Sequence, residues 1–386
     1  MASIGWGSGS GADTELAWAD NCSLSSTRIV SAAIELAFDE PAVDGNTVAL
    51  WRLNDGAGDT VLDATANGNN LTKQAIADWT AAGFLNGGIS SDDYQSTYRL
   101  ADGSMTVAAD PEEGCIDGFV KPAFDPTSDL HEYGMFLMRG NGAGRNTAVT
   151  YTSFGGAPCI ATYVGAGNVR IAVPVDFAQG EWSHIATMWK HSTGKCYTYI
   201  NGVQRVSSTY YYDATLYGTY MRMGGGAGLA SNWAGEMDSV RVSDVMRTGL
   251  PRTRYPDTGI VTGSNCATTG TVEEVSWGAT TTGDNEGSVA KVEIYTAGAW
   301  TQAGDDNPTS PITGLSLPIT EAAPVRVTMT PKADTLQTES PSLTWLMLEV
   351  ASSETLYGPL QAADVRRVTM QASDVRAVRL DGEIRP

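Results

Sequence analysis

Tyr210, Tyr211 and Tyr212, followed by Asp213 and then by Tyr217 and Tyr220, form the densest group of chemistry-bearing side chains in the sequence. Aromatic rings stack on the apolar C–H faces of sugars while acidic and amide groups take the hydroxyls. The same cluster suits a tyrosine-rich subunit interface or an aromatic seam between sheets, and the three readings stay open. Catalytic patterns are scarcer. His131, His184 and His191 show no HExxH or other metal spacing. His184, inside Trp182-Ser-His-Ile-Ala186, reads as a satisfied core or near-core group. No Gly-x-Ser-x-Gly elbow occurs. The glycine-rich stretches 140–144 and 224–228 lack a following Lys-Ser/Thr or a dinucleotide-binding context, so they read as loops. Cys22, Cys115, Cys159, Cys196 and Cys266 are odd in number, widely spaced and free of a CxxC pair. They make neither a disulfide framework nor a zinc site and read as mostly buried thiols. No catalytic site is recognisable.

The elements that must carry these residues are strands. Val48–Leu53, Val169–Val173, Ile185–Trp189, Cys196–Ile200 and Met237–Val242 are apolar runs separated by Asn-Gly, Gly-Gly and Asp-Gly turn signals. The whole chain reads as all-β: an N-terminal leader (1–45), a large jelly roll (46–248), a linker punctuated by Pro251, Pro256, Gly259 and Gly263 (249–265), a small β-sandwich of Ig-like size (266–351) and a C-terminal arm (352–386). Within the leader, Arg28–Phe38 is apolar and its periodicity suits a short helix or a strand. The small sandwich has its clearest strands at Val289–Tyr295, Val325–Thr330 and Leu343–Val350. The arm contains a ten-residue repeat, Gln361–Met370 followed by Gln371–Leu380. An even period keeps matching residues on matching faces of a strand. Val365, Arg366, Val368 and Met370 in the first copy correspond to Val375, Arg376, Val378 and Leu380 in the second. The repeat suits a hairpin closing the second domain, or a β-arm pairing with another subunit or virion protein.

The formal net charge is −20 over 386 residues. Such a surface repels phosphate backbones and anionic lipid heads, which argues against nucleic-acid and membrane-surface partners. The N-terminal residues show no basic segment followed by an apolar one, so no secretory signal is expected. No run of about 18 apolar residues exists to span a bilayer.

Three segments, in order, resemble the LamG-like (concanavalin A-like lectin/glucanase) jelly-roll family. Leu50–Asn70 is similar to its opening strand, Gly-rich turn and Asp-x-Ser-Gly-Asn-Gly-Asn loop, although Thr65 and Ala66 replace the usual Ser-Gly. Gly180-Glu-Trp-Ser-His-Ile-Ala-Thr-Met-Trp189 and Cys196-Tyr-Thr-Tyr-Ile-Asn-Gly-Val203 resemble its "W-x-H-v-A" strand and "l-Y-v-N-G" hairpin. Trp233-Ala-Gly-Glu-Met-Asp-Ser-Val-Arg-Val242 is similar to its closing strand. The residues agree independently. Asn201-Gly202 suits a type I′ turn. Trp51, Trp182 and Trp189 offer the apolar area to join two sheets. Asp238, beside Met237 and Val240, needs a partner for its charge.

The resemblance implies two sheets, a rim of loops for sugar or protein, and often a structural Ca²⁺. Carried over, the calcium ligands are Asp63 and Asp238, with Asn67 or Asn69 adding oxygens; the alternative is an Asx-turn at Asp63 and Asn67 without metal. Family-16 glucanases on this fold use Glu-x-Asp-x-x-Glu, whereas this chain has Glu236-Met-Asp238-Ser-Val-Arg241, with arginine at the third carboxylate. The missing carboxylate argues against a glucanase. The small sandwich ends in Val325–Thr330 and Ser340–Val350, which resemble modules beside LamG-like domains in phage tail and head proteins. A jelly roll followed by this sandwich and by a β-repeat tail makes the expected function a non-enzymatic bacteriophage virion protein, on tail or capsid. It would be made in the bacterial cytoplasm, would be homo-oligomeric, and would contact host-surface glycan or other virion proteins. A glycoside hydrolase-related protein or a cell-surface carbohydrate-binding adhesin is the alternative.

Overall fold

The computed structural model describes residues 2–6, 14–16, 22–25, 27–30, 33–36, 40–91, 99–139, 146–163, 170–175, 177–210, 218–225, 233–250, 252–255, 258–263, 270–280, 287–319, 325–334, 336–337 and 340–352. Among them the regular structure is β-strand apart from one 3-10 turn, His191–Thr193, and no helix is long and apolar enough to cross a membrane. The first strands are β1 (Ala2–Trp6), β2 (Thr14–Leu16), β3 (Cys22–Ser25), β4 (Thr27–Val30) and β5 (Ala33–Leu36). Then come β6 (Thr47–Trp51), β7 (Thr60–Val61), β8 (Leu71–Lys73), β9 (Asp78–Leu85), β10 (Gly87–Ser91), β11 (Ala101–Ala109), β12 (Glu113–Pro122) and β13 (Tyr133–Arg139). These are followed by β14 (Asn146–Phe154), β15 (Ala157–Tyr163), β16 (Arg170–Pro174), β17 (Ser183–Lys190), β18 (Lys195–Ile200), β19 (Val203–Thr209), β20 (Gly218–Met223) and β21 (Gly235–Ser243). The last are β22 (Gly259–Gly263), β23 (Gly270–Thr280), β24 (Gly287–Thr296), β25 (Ala299–Gln302), β26 (Ile312–Ile319), β27 (Val325–Pro331) and β28 (Ser342–Ser352).

Two compact units result: residues 1–37, 256–333 and 339–386 form the smaller, and 38–255 with 334–338 form the larger. The larger unit is thus inserted in a unit built from both ends of the chain. In the smaller unit a five-stranded sheet runs β25-β24-β27-β22-β3, and a seven-stranded sheet follows the path β2-β1-β28-β23-β26 with β4 and β5 joined at β28. The residues read as a leader supply strands here. β1 lies antiparallel to β28 with Ile4 opposite Leu348, and β3 lies antiparallel to β22. Within the run Arg28–Phe38 the described residues are extended, Arg28–Val30 in β4 and Ala33–Leu36 in β5, which pair antiparallel. Along β27 burial alternates, with Val325, Val327 and Met329 inside, as a half-buried strand requires.

The larger unit is a jelly-roll sandwich. One eight-stranded sheet follows β19-β18-β17-β12-β21-β10-β9, with β6 also on β21; the other runs β16-β15-β14-β13-β20-β11-β8-β7. Between them lies a single large core that includes Trp51, Trp189, Phe136, Tyr151, Ile160, Ile185, Trp233 and Val240. Asn201 and Gly202 both have positive φ, 48° and 75°, so the β18–β19 hairpin closes in the type I′ turn. Trp182 corrects the sequence reading: it packs on the outer side of the first sheet against Phe84, at 5.8 Å between rings, and not between the sheets. Cys115, Cys159 and Cys196 are buried, and burial pushes the Cys196 thiol up to about 11.

Strand β21 carries an irregularity that decides which side chains face which way. Asp117 pairs with Arg241 and Phe119 with Asp238, so Ser239 and Val240 together oppose Gly118 alone. This is a β-bulge. Ser239 takes the left-handed conformation, φ 49°, which a non-glycine residue adopts at a cost. Strict alternation would place Asp238 and Val240 on one face. The extra residue instead returns Val240 and Val242 to the core and turns Arg241 outward.

Gly118 is required at the bulge, because a Cβ there would stand 2.9 Å from Phe136 Cζ and 3.0 Å from Val240 Cγ2. Gly118→Ala is expected to cost about 1–3 kcal/mol by overpacking, read as a lower urea midpoint for the larger unit. An unchanged midpoint would show that the two sheets can separate to admit a methyl.

Candidate ligand-binding face

The outer face of the β12–β17–β21 sheet is built around the buried carboxylate of Asp117. Its Oδ1 accepts from Arg241 Nε at 3.0 Å, and its Oδ2 accepts from Arg252 Nε at 2.6 Å and pairs with His184 Nε2 at 2.9 Å. Asp117 and His184 are fully buried and the two arginines nearly so. Burial alone would push the Asp117 carboxyl up, but the Arg252 and Arg241 guanidiniums and the His184 contact outweigh it and hold it far below the usual carboxylate range. Burial, opposed only in part by Asp117, holds His184 below its ordinary 6.5, so the imidazole is neutral, and its Nδ1 has no hydrogen-bond partner. Arg252 also donates to the hydroxyl and carbonyl oxygen of Ser239 and lies 4.9 Å over the Phe119 ring. The segment read as a linker therefore returns across the sheet. Arg252 and Tyr255 are buried, and Met246 and Leu250 pack on Cys115, Ala186 and Met188.

At one end of this face the cover stops and a cleft of about 310 Å³ opens, lined by Thr80, Ser90, Lys121, Gln179, Gly235 and Glu236 among others. That volume is at the low end of small-molecule pockets, roughly 300–1,000 Å³. Lys121 on β12 and Glu236 on β21 stand opposite each other, with Nζ 2.8 Å from Oε1. The second carboxylate oxygen, Oε2, is enclosed and has no partner. Lys121 Nζ also lies 5.8 Å from the Trp182 ring. Gly235 sets this position with φ 132°, since a Cβ there would fall 2.1 Å from the Lys121 carbonyl oxygen. Gln179 donates to the Ala123 carbonyl at 2.5 Å and closes the loop wall. Lys121, Gln179, Ser90 and Thr80 belong to no sequence motif. Glu236 was visible only as a carboxylate of the Glu-x-Asp pattern.

The residues assigned to calcium are not one ligand set. Asp63 Oδ1 accepts the Leu50 and Thr65 amides at 3.0 and 2.9 Å, and Oδ2 accepts the Thr65 hydroxyl and Asn69 amide at 2.7 and 2.9 Å. Two donors on each oxygen fill the acceptor positions of a carboxylate. Asn69 Oδ1 accepts the Thr106 and Val107 amides, and Asn67 and Asn69 both donate to the Val48 carbonyl. Asp238 belongs to different surroundings, accepting the Leu85 amide at 2.5 Å with its Oδ1 unpartnered. The donor set does not fit a shared calcium ion, and among the described residues no group of three or more His, Cys, Asp or Glu could hold a metal. Asp63 and its neighbours are a hydrogen-bonded turn that fastens the 63–70 loop to β6.

The tyrosine cluster divides. Tyr210 is buried and donates its hydroxyl to the Pro111 carbonyl at 2.6 Å, a core role. Tyr220, half-buried on the opposite sheet, donates to Asp102, which also takes Gln74 Nε2 at 2.9 Å. Tyr211, Tyr212, Asp213 and Tyr217 lie outside the described residues, as do Val365, Arg366, Val368, Met370, Val375, Arg376, Val378 and Leu380 of the arm.

Residues 112–249 match the profile of a Laminin G family described as the concanavalin A-like lectin/glucanases superfamily. Among solved structures, the chain is similar to domain 4 of a GH43 extracellular arabinanase from Geobacillus stearothermophilus, in complex with arabinotriose. The match has 15% identity and a TM-score of 0.36 over 53% of this chain and 94% of that one. It is also similar to the botulinum neurotoxin serotype D binding domain, at 10% identity and a TM-score of 0.40 over 53% of this chain and 48% of that one. A heptameric SAP-like pentraxin from Limulus polyphemus matches at 18% identity and a TM-score of 0.32, over 40% and 76%. The chain thus spans about half of the toxin domain and most of the arabinanase domain. No curated protein matches it.

Asp117→Asn leaves two buried guanidiniums without their carboxylate and is expected to destabilise the larger unit by roughly 3–5 kcal/mol in urea denaturation; a loss below 1 kcal/mol would remove Asp117 as the organising group. Asp238 behaves oppositely. Burial raises its carboxyl well above the ordinary 3.8, so the unfolded chain ionises first and folded stability falls as pH rises past that value. Asp238→Asn should therefore gain stability over the wild type progressively from pH 3 to pH 7. A difference that stays constant with pH would contradict this assignment.

Proposed function

We propose that the larger unit of this chain, whose residues 112–249 match the concanavalin A-like lectin/glucanases superfamily, is a non-catalytic, lectin-like domain that contacts saccharide through the cleft at Lys121 and Glu236. The observation that carries the reading is a cleft wall that places a donor and an acceptor on neighbouring strands beside the half-buried Trp182 indole. Sugars present hydroxyls that both donate and accept, and apolar C–H faces that lie on aromatic rings.

The non-catalytic part rests on β21 itself. Glycosidases need two carboxyl groups facing the scissile bond, roughly 5–5.5 Å apart for retention or 6.5–9.5 Å for inversion. Here Glu236 is paired with Lys121, Asp238 is enclosed against Leu85, and Arg241 is held by Asp117 where the third carboxylate of the glucanase pattern would stand.

The wider reading is a structural protein of a bacteriophage particle, assembled as a homo-oligomer on tail or capsid. In this reading the jelly roll is turned toward host-surface glycan, and the repeat in residues 352–386 docks on a neighbouring virion subunit. It is supported by the organisation of the chain, with the jelly roll inserted in a unit made from both chain ends, and by the −20 charge, which suits dense display.

Purified protein mixed with a polysaccharide panel should bind and release no new reducing ends. Turnover abolished by Glu236→Gln would establish the glycoside hydrolase reading instead. Antibody to the chain should decorate intact phage particles in electron micrographs, and bare particles would contradict the virion assignment.

A further inference from the structure

We propose that the outer face of the second sheet of the larger unit carries a carboxylate-binding site, in which the Arg222 guanidinium holds the carboxylate of an acidic saccharide. Arg222 lies on β20, in the other sheet from the cleft at Lys121 and Glu236, so the two readings stand or fall separately.

Four side chains meet where β11 and β20 pair: Asp102 stands opposite Arg222, and Ser104 opposite Tyr220. Met221 and Met223 point into the core, so alternation along β20 turns Tyr220 and Arg222 outward. Asp102 is buried and its carboxylate is already occupied. Oδ1 accepts from Gln74 Nε2 at 2.9 Å, while Oδ2 takes the Tyr220 hydroxyl and pairs with the Arg99 guanidinium. Arg222, directly across the ladder, is left without an ion pair among the described residues.

That sets it apart in this chain. Arg52, Arg99, Arg241, Arg247, Arg252 and Arg326 are each paired with a carboxylate. Arg222 instead lies 5.5 Å from the Tyr220 ring. It is half-buried, and its Nε is enclosed and out of a ligand's reach, so the terminal nitrogens are the part of the guanidinium left for binding. Those two nitrogens form a planar fork that matches the two oxygens of a carboxylate. A ligand carboxylate gives this partly desolvated cation the counter-charge that Asp102, held by Arg99, does not.

Charge limits what the site takes. Arg99 and Arg222 against Asp102 leave a local excess of one positive charge, within a chain whose net charge is −20. The long-range field repels a ligand in proportion to its charge. One carboxylate on an otherwise neutral molecule gains the local attraction at the least long-range cost, which a polysulfate or a nucleic acid cannot match. Sugar acids have that form. Beside Arg222 the exposed Ser104 hydroxyl donates to and accepts from ring hydroxyls, and the half-buried Tyr220 ring offers an apolar edge.

The test is isothermal titration of the full chain with 3′-sialyllactose and with glucuronate, each compared with its methyl ester. At least one acid is expected to bind at least tenfold more tightly than its ester. Arg222→Gln should bring acid and ester to within about twofold. Arg222→Lys, which keeps the charge and loses the fork, should weaken acid binding at least threefold. Lys195→Gln, which removes an exposed cation elsewhere on the larger unit, should leave the preference intact. Each variant is checked for an unaltered near-ultraviolet circular dichroism spectrum; if Arg222→Gln fails that check, acid binding unchanged in Arg222→Lys overturns the proposal by itself. Equal binding of acid and ester, no binding of either acid, or a preference that survives Arg222→Gln or is lost equally with Lys195→Gln also overturns it. Acetate competing as strongly as sialyllactose overturns the saccharide assignment. Neutral sugars failing to bind would count against the cleft alone.

Discussion

A carboxylate buried on the face of a β-sheet must be surrounded by cations and donors, and the outer face of the larger unit is organised by that requirement at Asp117. Its partners come from three places: His184 on β17, Arg241 on β21, and Arg252 from the segment beyond β21. Arg252 reaches Asp117 from a segment whose Met246 and Leu250 also pack on the sheet. Once there it also satisfies the carbonyl and hydroxyl of Ser239, the left-handed residue of the bulge. Strand pairing, bulge and covering segment are thereby coupled through one side chain. The arrangement specifies a geometry more than it adds stability, because desolvation offsets much of the attraction between buried ions.

The same layer determines where a ligand can sit. Met246 and Leu250 cover Cys115, Ala186 and Met188, and Leu336 packs with Phe84 and Phe119. The end of the sheet at Lys121 and Glu236 keeps a concave surface lined by polar side chains. Bulge and ion pair also settle the fate of the Glu236-Met-Asp238-Ser-Val-Arg241 pattern. Glu236 reaches the cleft, Asp238 is enclosed one step further in, and Arg241 is drawn to Asp117. A strand that resembles a catalytic one in sequence is thus distributed among a surface group, an interior group and a structural ion pair.

Much of the fold was legible in the sequence because it is written in local rules. Alternating apolar residues announced the strands, and Asn201-Gly202 announced its turn through the positive φ both positions tolerate. The opening, hairpin and closing segments together indicated the jelly roll. What stayed illegible depends on contacts distant in sequence. Arg252 reads as part of a proline-punctuated linker, and only Asp117, 135 positions earlier, explains its burial. Trp182 carries the same apolar area whether it lies between the sheets or outside them. Its position just before β17, beside Phe84, decides the matter. The loop at Asp63 was read for calcium from its oxygens, but backbone amides that no motif records already occupy them. The cleft joins β9, β10, β12, β21 and a loop, so no single stretch of sequence displays it.

Backbone-amide NMR of the full chain, titrated with a neutral oligosaccharide, tests the central claim most directly. The account predicts shifts confined to Thr80, Ser90, Lys121 to Ala123, Gln179 to Trp182 and Gly235 to Glu236, with the amides around Asp117 and Arg252 unmoved. Shifts gathered instead at residues 210–220, or spread over the covered centre of the sheet, would contradict it.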